Sequence, residues 1–300
     1  MTPPSSADLH SCGDRGGSEA GPSRAPVSSD LSSGATKSTT RVAGGARRSD
    51  NEGIHVKANW HWHVGTSGWQ YSHWKGIFYP EQLKSKDWLQ FYAQHLNTLE
   101  LNVTFYRQVR SSTFQKWYDT VPADFLFSVK MSRFITHIKR LAVEEESVRR
   151  FLADVIALKD KLGAILVQLP PSLKYDRALM SDFFSLLDPA FKYTIEARNK
   201  TFVTDDFFSL LHDRNIAWCI AESAGRYPYH EALTASFVYL RLHGRTQLYA
   251  SNYTDEELHE LAAKIRSWAR ETYVYFDNDF SGYAVKNAMS LADILRSGKS

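Results

Sequence analysis

From Trp60 onward, short apolar runs alternate with longer stretches in which apolar residues recur every three or four positions. The short runs predict strands over 63–66, 98–102, 126–130, 164–169, 193–197, 217–222, 237–243 and 273–277. The helical periods predict helices over 86–95, 111–120, 144–162, 177–187, 205–215, 229–233 (a short one), 255–270 and 283–295. Punctuation supports several boundaries. Gly163 is expected to close the long helix, Thr254 with Glu257 forms a capping box, and Asp205 opens a helix after a turn. Strict alternation requires parallel strands joined by right-handed crossovers. Eight such units in roughly 240 residues match a closed (β/α)8 barrel. A doubly wound open sheet is the alternative, but its usual Gly-x-Gly-x-x-Gly first turn is absent.

Composition divides the chain. Of the first 50 residues 26 are Gly, Ser, Thr or Pro, and no Phe, Tyr or Trp precedes Trp60. Such a segment has too little to bury to offset its ordering entropy, so residues 1–58 are expected to be a disordered tail and 59–300 a single α/β domain, a TIM barrel. The start, with neither a basic nor a long apolar block, does not read as a secretory signal, and no run of eighteen apolar residues predicts a membrane span. Two cysteines, Cys12 and Cys219, are too few for a disulfide framework or a thiolate cage, which suits reducing cytoplasm. A net charge of +3, from 36 basic and 33 acidic residues, argues against a dedicated polyanion coat.

Strand parity then sorts the polar residues. In 98–102, Leu99 and Leu101 suit the helix layer, leaving Glu100 and Asn102 on the other face. In 237–243, Val238, Leu240 and Leu242 leave Tyr239, Arg241 and His243 for the lumen. The same rule points Ser128, Lys130, Gln168, Thr194, Glu196, Arg198 and Glu222 inward. These groups lie toward the C-terminal ends of six strands, the end at which barrel enzymes bind ligands. The competing reading is an ion-pair network that merely plugs the barrel mouth.

These residues stand in phrases that, taken in order over about 62–295, resemble the domain of unknown function 72 family, the YecE-like proteins. The phrases include Val64-Gly65-Thr66-Ser67-Gly68-Trp69-Gln70-Tyr71, Leu99-Glu100-Leu101-Asn102, Thr104-Phe105-Tyr106 and Phe134-Ile135-Thr136-His137. Further on stand Val167-Gln168-Leu169-Pro170-Pro171, Glu196-Ala197-Arg198, Tyr239-Leu240-Arg241-Leu242-His243-Gly244 and Tyr273-Val274-Tyr275-Phe276-Asp277-Asn278-Asp279. The resemblance implies a TIM barrel with a shared pocket and no named reaction. Two phrases depart from the family pattern. Asn199-Lys200-Thr201-Phe202 replaces a His-containing phrase ending in Trp, and Asp277-Asn278-Asp279 replaces Asn-Asn-Asp.

The residue types favour proton transfer on an anion. Lys130, Arg133, His137, Arg198 and Arg241 supply charges and guanidinium forks that hold phosphate or carboxylate. Glu100 and Glu196 are acid/base candidates, with Glu196 the first choice as base, and His243 or Lys130 a proton shuttle. Thr66, Trp69, Tyr71, Asn102, Tyr106, Gln168, Glu222 and Asn278 are expected to line the ligand. His61-Trp62-His63 precedes the first strand's C-terminal turn and stands at the wrong end for a metal ligand, so neither metal nor other cofactor is expected. The function expected is an enzyme of hydrolysis or isomerisation acting on a small polar ligand that carries phosphate or carboxylate. A nucleic-acid-binding barrel or repair-like nuclease is one alternative, using the basic loop after the third strand (Lys130, Arg133, His137, Lys139 and Arg140) and loop aromatics such as Trp69, Tyr71 and Tyr106. A non-catalytic small-ligand sensor is another.

Overall fold

The computed structural model describes residues 62–298; the tail expected over 1–58, and His61, lie outside the described residues. Eight strands form a closed barrel in which each runs parallel to the next and the last pairs with the first. They are β1 (Trp62–Thr66), β2 (Thr98–Leu101), β3 (Leu126–Lys130), β4 (Leu162–Gln168), β5 (Lys192–Glu196), β6 (Ala217–Glu222), β7 (Phe237–Leu242) and β8 (Glu271–Phe276). Closure excludes the open sheet. Around them lie α1 (Trp88–Tyr92), α2 (Val103–Tyr106), α3 (Ser111–Thr120), α4 (Glu145–Val155), α5 (Arg177–Ser185), α6 (Asp205–Asp213), α7 (Asp255–Trp268) and α8 (Tyr283–Ser297). Side chains cap three of them as the sequence invites: Asp176 on α5, Thr204 on α6, and the Thr254–Glu257 box on α7.

Alternation builds two cores. Outward residues such as Leu99, Val129, Val167, Ile220, Leu240 and Val274 join the helices in one large apolar layer. Inward residues Ala164, Leu166, Ala217, Cys219, Tyr239, Tyr273 and Tyr275 fill the lumen. The lumen is therefore a packed core and not a pore. Its polar tips find partners: Tyr275 OH donates to Ser128 Oγ (2.8 Å), and Tyr239 OH donates to Glu100 Oε1 (2.8 Å). At the barrel floor His63 stacks on Tyr273 with ring centroids 4.9 Å apart, and its Nε2 lies 3.4 Å from Glu271 Oε1.

Three elements differ from expectation. No helix forms over 229–233; the crossover from β6 to β7 is irregular and is fastened by side chains. There Trp218 Nε1 donates to His230 O (2.9 Å), and Thr234 Oγ1 accepts from Trp218 N (2.8 Å) while donating to Ile216 O (2.7 Å). Gly163 does not end a helix but lies inside β4. A Cβ there would stand 2.9 Å from the Tyr273 ring, so the glycine serves the close packing of the lumen. The helix it was expected to close ends at Val155 and is followed by tighter turns over Ile156–Lys161, where Lys159 has φ 49°. In the third difference the 86–95 helix shortens to α1, preceded by one tight turn over Ser85–Asp87.

Candidate active site at the barrel mouth

Extra turns follow the C-terminal ends of the strands: α2 after β2, a π-helical turn at Phe134–Ile138 after β3, and a 3-10 turn at Lys200–Phe202 after β5. π turns are uncommon and tend to occur at functional sites. This one carries His137, whose Nδ1 lies 2.9 Å from Thr136 Oγ1.

At the centre stands Arg241, aimed into the lumen by the parity of β7 and fully buried. Its Nε and Nη2 donate to the two oxygens of Glu100 (2.9 and 2.8 Å), while Nη1 donates to Glu196 Oε2 (2.6 Å). Nη2 also reaches Asp277 Oδ2 (3.3 Å) and Ser67 Oγ (3.4 Å). Arg198 Nε donates to the other oxygen of Glu196 (2.8 Å). His243 Nδ1 lies 2.9 Å from Asp277 Oδ2, and its Nε2 lies 3.7 Å from Glu196 Oε1. One network thus joins residues on, or one or two positions past, β1, β2, β5, β7 and β8.

This geometry changes two of the expected roles. Glu100 and Glu196 do not face each other as a free acid/base pair, because the Arg241 guanidinium stands between them and pairs with both. Burial pushes the Glu196 carboxyl up, but Arg198, Arg241 and His243 overcome it and hold the group well below the usual carboxylate range. A carboxylate so stabilised is a poor base. Arg241, spent on two internal carboxylates, is not free to hold a ligand anion.

Lys130 has the opposite character. Its residue is 7 % exposed, and among the described residues its Nζ has no carboxylate within ion-pair distance; it lies 4.3 Å from the centre of the Phe105 ring. Burial first, and then Arg241, lower its pKa to about 8. His137 is lowered to about 4 by burial and by Lys130 and Arg198, so its imidazole is neutral at physiological pH. The open face of the network is formed by Arg198 and Asp277, whose side chains are 14 % and 21 % exposed. Tyr227 Oη accepts from Arg198 Nη1 (3.1 Å), with its ring under the guanidinium, and Tyr249 sets its ring edge-on to His243.

The remaining expected residues divide. Asn102 Nδ2 donates to Glu100 Oε2 and Ser67 O (3.2 Å each), and its buried Oδ1 has no partner. Tyr71 OH donates to Ser67 O (2.8 Å), and Gln168 lies opposite Glu196 in the ladder. Arg133 is exposed, and Tyr106 stands 72 % exposed on the rim. Four residues are elsewhere. Thr66 faces α1, where its hydroxyl meets Tyr92 OH (2.9 Å). Trp69 is core, set edge-on to Trp117. Asn278 ties α8 to the loop after β7 through Asn287 (2.9 Å) and Ser251 (2.9 Å). Glu222 shares the outward parity of Trp218 and Ile220 and pairs with Arg245 (3.0 Å).

Sequence reasoning missed Asp277, Ser67 and Tyr227. For Asp277 the signal was present, since Tyr273 and Tyr275 set the inward parity that it continues. Among the described residues no group of three or more His, Cys, Asp or Glu is arranged to hold a metal ion. No described helix is long and apolar enough to cross a membrane.

Two cavities adjoin the mouth loops. One, of about 320 Å³, is walled by Thr104, Arg107, Phe134, Ile135, Arg150 and Phe151 among others. An open cleft of about 620 Å³ lies between the loops after β6 and β7, beside Tyr227. Neither has Glu100, Glu196, Arg241 or His243 in its walls, and these four side chains are buried.

The model of the family described as protein of unknown function DUF72 matches residues 63–300. The UPF0759 protein YecE of Escherichia coli is 25% identical over 141 residues, which cover 47% of this chain and 49% of that protein. The match thus spans about half the length of that relative. The UPF0759 protein YunF of Bacillus subtilis is 22% identical over 276 residues, covering 78% of this chain and 94% of that one. The crystal structure of a DUF72 family protein from Thermotoga maritima superposes with a TM-score of 0.72 at 27% identity, covering 78% of this chain and 99% of that one. One from Enterococcus faecalis gives 0.69 at 21% identity, covering 80% and 97%, and shares the fold. A matched family model across nearly the whole barrel, together with these relatives, establishes that the chain belongs to the DUF72 family.

Proposed function

We propose that the barrel mouth is an active site for acid–base chemistry, hydrolysis or isomerisation, on a small ligand carrying phosphate or carboxylate. One observation carries the reading: among the described residues Lys130 is a buried cation without an ionic partner, in a mouth where Arg241, Arg198, Glu100, Glu196 and Asp277 are all paired. A buried, unpaired ammonium is costly, and a ligand oxyanion beside it removes the cost. Lys130 and Arg198 hold the anion. The His243–Asp277 pair moves the proton, with Asp277 as its open end. The Glu100–Arg241–Glu196 frame fixes both in place, and Asn102, Tyr71 and Gln168 orient the ligand.

Native mass spectrometry of the chain purified at low salt tests this on wild type, Lys130→Met and His243→Gln. A small anionic compound held by wild type or His243→Gln and absent from Lys130→Met is expected. Turnover makes His243→Gln hold a compound that wild type releases or converts, whereas a sensor holds the same compound in both. Equal retention by all three proteins would remove the site.

A second reading rests on the rim, where Tyr106, Phe134 and Ile138 are exposed beside exposed Arg107, Arg133 and Lys139. Such a surface suits stacking and phosphate contact on single-stranded nucleic acid. Binding of an oligonucleotide that weakens steeply with salt, and is lost in Tyr106→Ala, would favour it.

A further inference from the structure

Lys130 has a use beyond anion holding. Its backbone is clamped: Thr104 Oγ1 donates to Lys130 O (2.6 Å), and Met131 N donates to Leu166 O (2.8 Å). Its side chain points inward from the end of β3, with Nζ over the Phe105 ring and, among the described residues, no carboxylate within ion-pair distance. The charged groups acting on it come from several elements. Glu100 lies on β2, His137 on the π turn, Glu196 on β5 with Arg198 just beyond it, Arg241 on β7, and Asp277 just past β8. Glu100 and Glu196 face Arg241 instead, so among the described residues no acid anchors the ammonium. An amine desolvated next to other cations is the arrangement that favours a neutral nucleophilic lysine.

We infer that Lys130 forms an imine with its ligand, and that the ligand is an aldehyde or ketone carrying the phosphate or carboxylate; this rests on the function proposed above. The Nζ lone pair adds to the carbonyl carbon, and one amine proton passes to the carbonyl oxygen to give a carbinolamine. Loss of that oxygen as water, which takes the second amine hydrogen, leaves the C=N bond. One carbonyl and one amine give one imine and one water, with no change of oxidation state. Protonated by the His243–Asp277 pair, the imine draws electrons from the adjacent C–H bond. The pair, having given its proton to the imine nitrogen, is the base that takes the C–H proton, so the acid–base step becomes proton removal next to a former carbonyl, the chemistry of isomerisation.

The test incubates the full chain with glyoxylate, the smallest aldehyde bearing a carboxylate, and sodium cyanoborohydride, then maps the reduced adduct by peptide mass. Lys130 is expected to label at least about tenfold faster than exposed Lys139 at pH 8, since burial without an acid partner leaves much of its amine free at a pH where an ordinary lysine is protonated. The labelling rate should rise with a midpoint near pH 8. Lys130→Met and Lys130→Arg, each confirmed folded by circular dichroism, should lose that label and keep those on surface lysines. Labelling confined to surface lysines overturns the proposal. In that event, if inorganic phosphate raises the Tm of wild type but not of Lys130→Met, the anion site stands without imine chemistry. If phosphate moves neither, the function proposed above fails as well.

Discussion

Arg241 and Lys130 are both cations buried at the same mouth, yet they stand on opposite sides of the energy balance. Arg241 is met by Glu100 on two atoms and by Glu196 on a third, so its removal strands two carboxylates in a dry lumen. Arg241→Met is expected to cost at least about 3–5 kcal/mol by urea unfolding near pH 7. A loss under about 1 kcal/mol would show that water already reaches the pair. Lys130 instead is held at a pKa of about 8, against 10.5 when free. Between those values the unfolded chain binds the proton that the folded one has released, so stability rises with pH across the window. Below pH 8 the folded state bears the whole cost, at most about 3 kcal/mol. Lys130→Met should therefore be more stable than wild type at pH 7 and lose this rise between pH 8 and 10.5. Urea denaturation at pH 7 and pH 10 measures both, and a variant weaker than wild type at pH 7 would give the Phe105 contact the larger share. That a residue central to the proposed chemistry weakens the fold is the usual cost of a functional site.

At the scale of elements, what could be read from the sequence was what alternation carries. β7 shows the contrast plainly, with Val238, Leu240 and Leu242 against Tyr239, Arg241 and His243, and its inward set came out right. β6 has no such contrast. Its inward residues Ala217, Cys219 and Ala221 are as apolar as outward Trp218 and Ile220, so polarity alone puts Glu222 in the lumen, wrongly. Size was the better guide there, since a lumen crowded by Tyr239, Tyr273 and Tyr275 leaves space on a neighbouring strand only for small side chains. Thr66 and Asn278 misled for another reason. Each is polar and outward, and each is satisfied by a distant partner, Tyr92 or Asn287, that no periodicity reveals. The missing helix after β6 follows the same logic, because Thr234 and Trp218 fasten the crossover where a helix was expected. Thr234→Val keeps the shape and removes the hydroxyl, leaving Trp218 N without its acceptor and Ile216 O without its donor. A loss of about 1–3 kcal/mol is expected in thermal or urea unfolding. An unchanged midpoint would mean that other groups satisfy both backbone atoms.

The barrel as a whole is not closed with equal strength around its circumference. β7 and β8 pair from Phe237↔Glu271 to Leu242↔Phe276, and β8 and β1 from Trp62↔Thr272 to Thr66↔Phe276. Between β1 and β2, however, the ladder holds only Gly65↔Thr98 and Thr66↔Leu99. Side chains take over where it stops. Asn97 Oδ1 accepts from Val64 N (2.9 Å) and its Nδ2 donates to Trp62 O (3.3 Å), while Tyr92 OH accepts from Thr66 N (2.9 Å) and donates to Thr98 O (3.0 Å). The seam bears directly on the mouth, because Ser67, the next residue along, offers Oγ to Arg241 and its carbonyl to both Asn102 and Tyr71. Loosening the seam should therefore loosen the frame that holds Glu100 and Arg241. Asn97→Ala is expected to speed hydrogen exchange at the Val64 amide about tenfold, the loss of about 1.4 kcal/mol of local protection when its side-chain acceptor is removed. Amides shared by β7 and β8 should keep their protection. Uniform acceleration around the barrel would instead mean that the eight strands open only together, and that Asn97 contributes to the whole fold with no special hold on its seam.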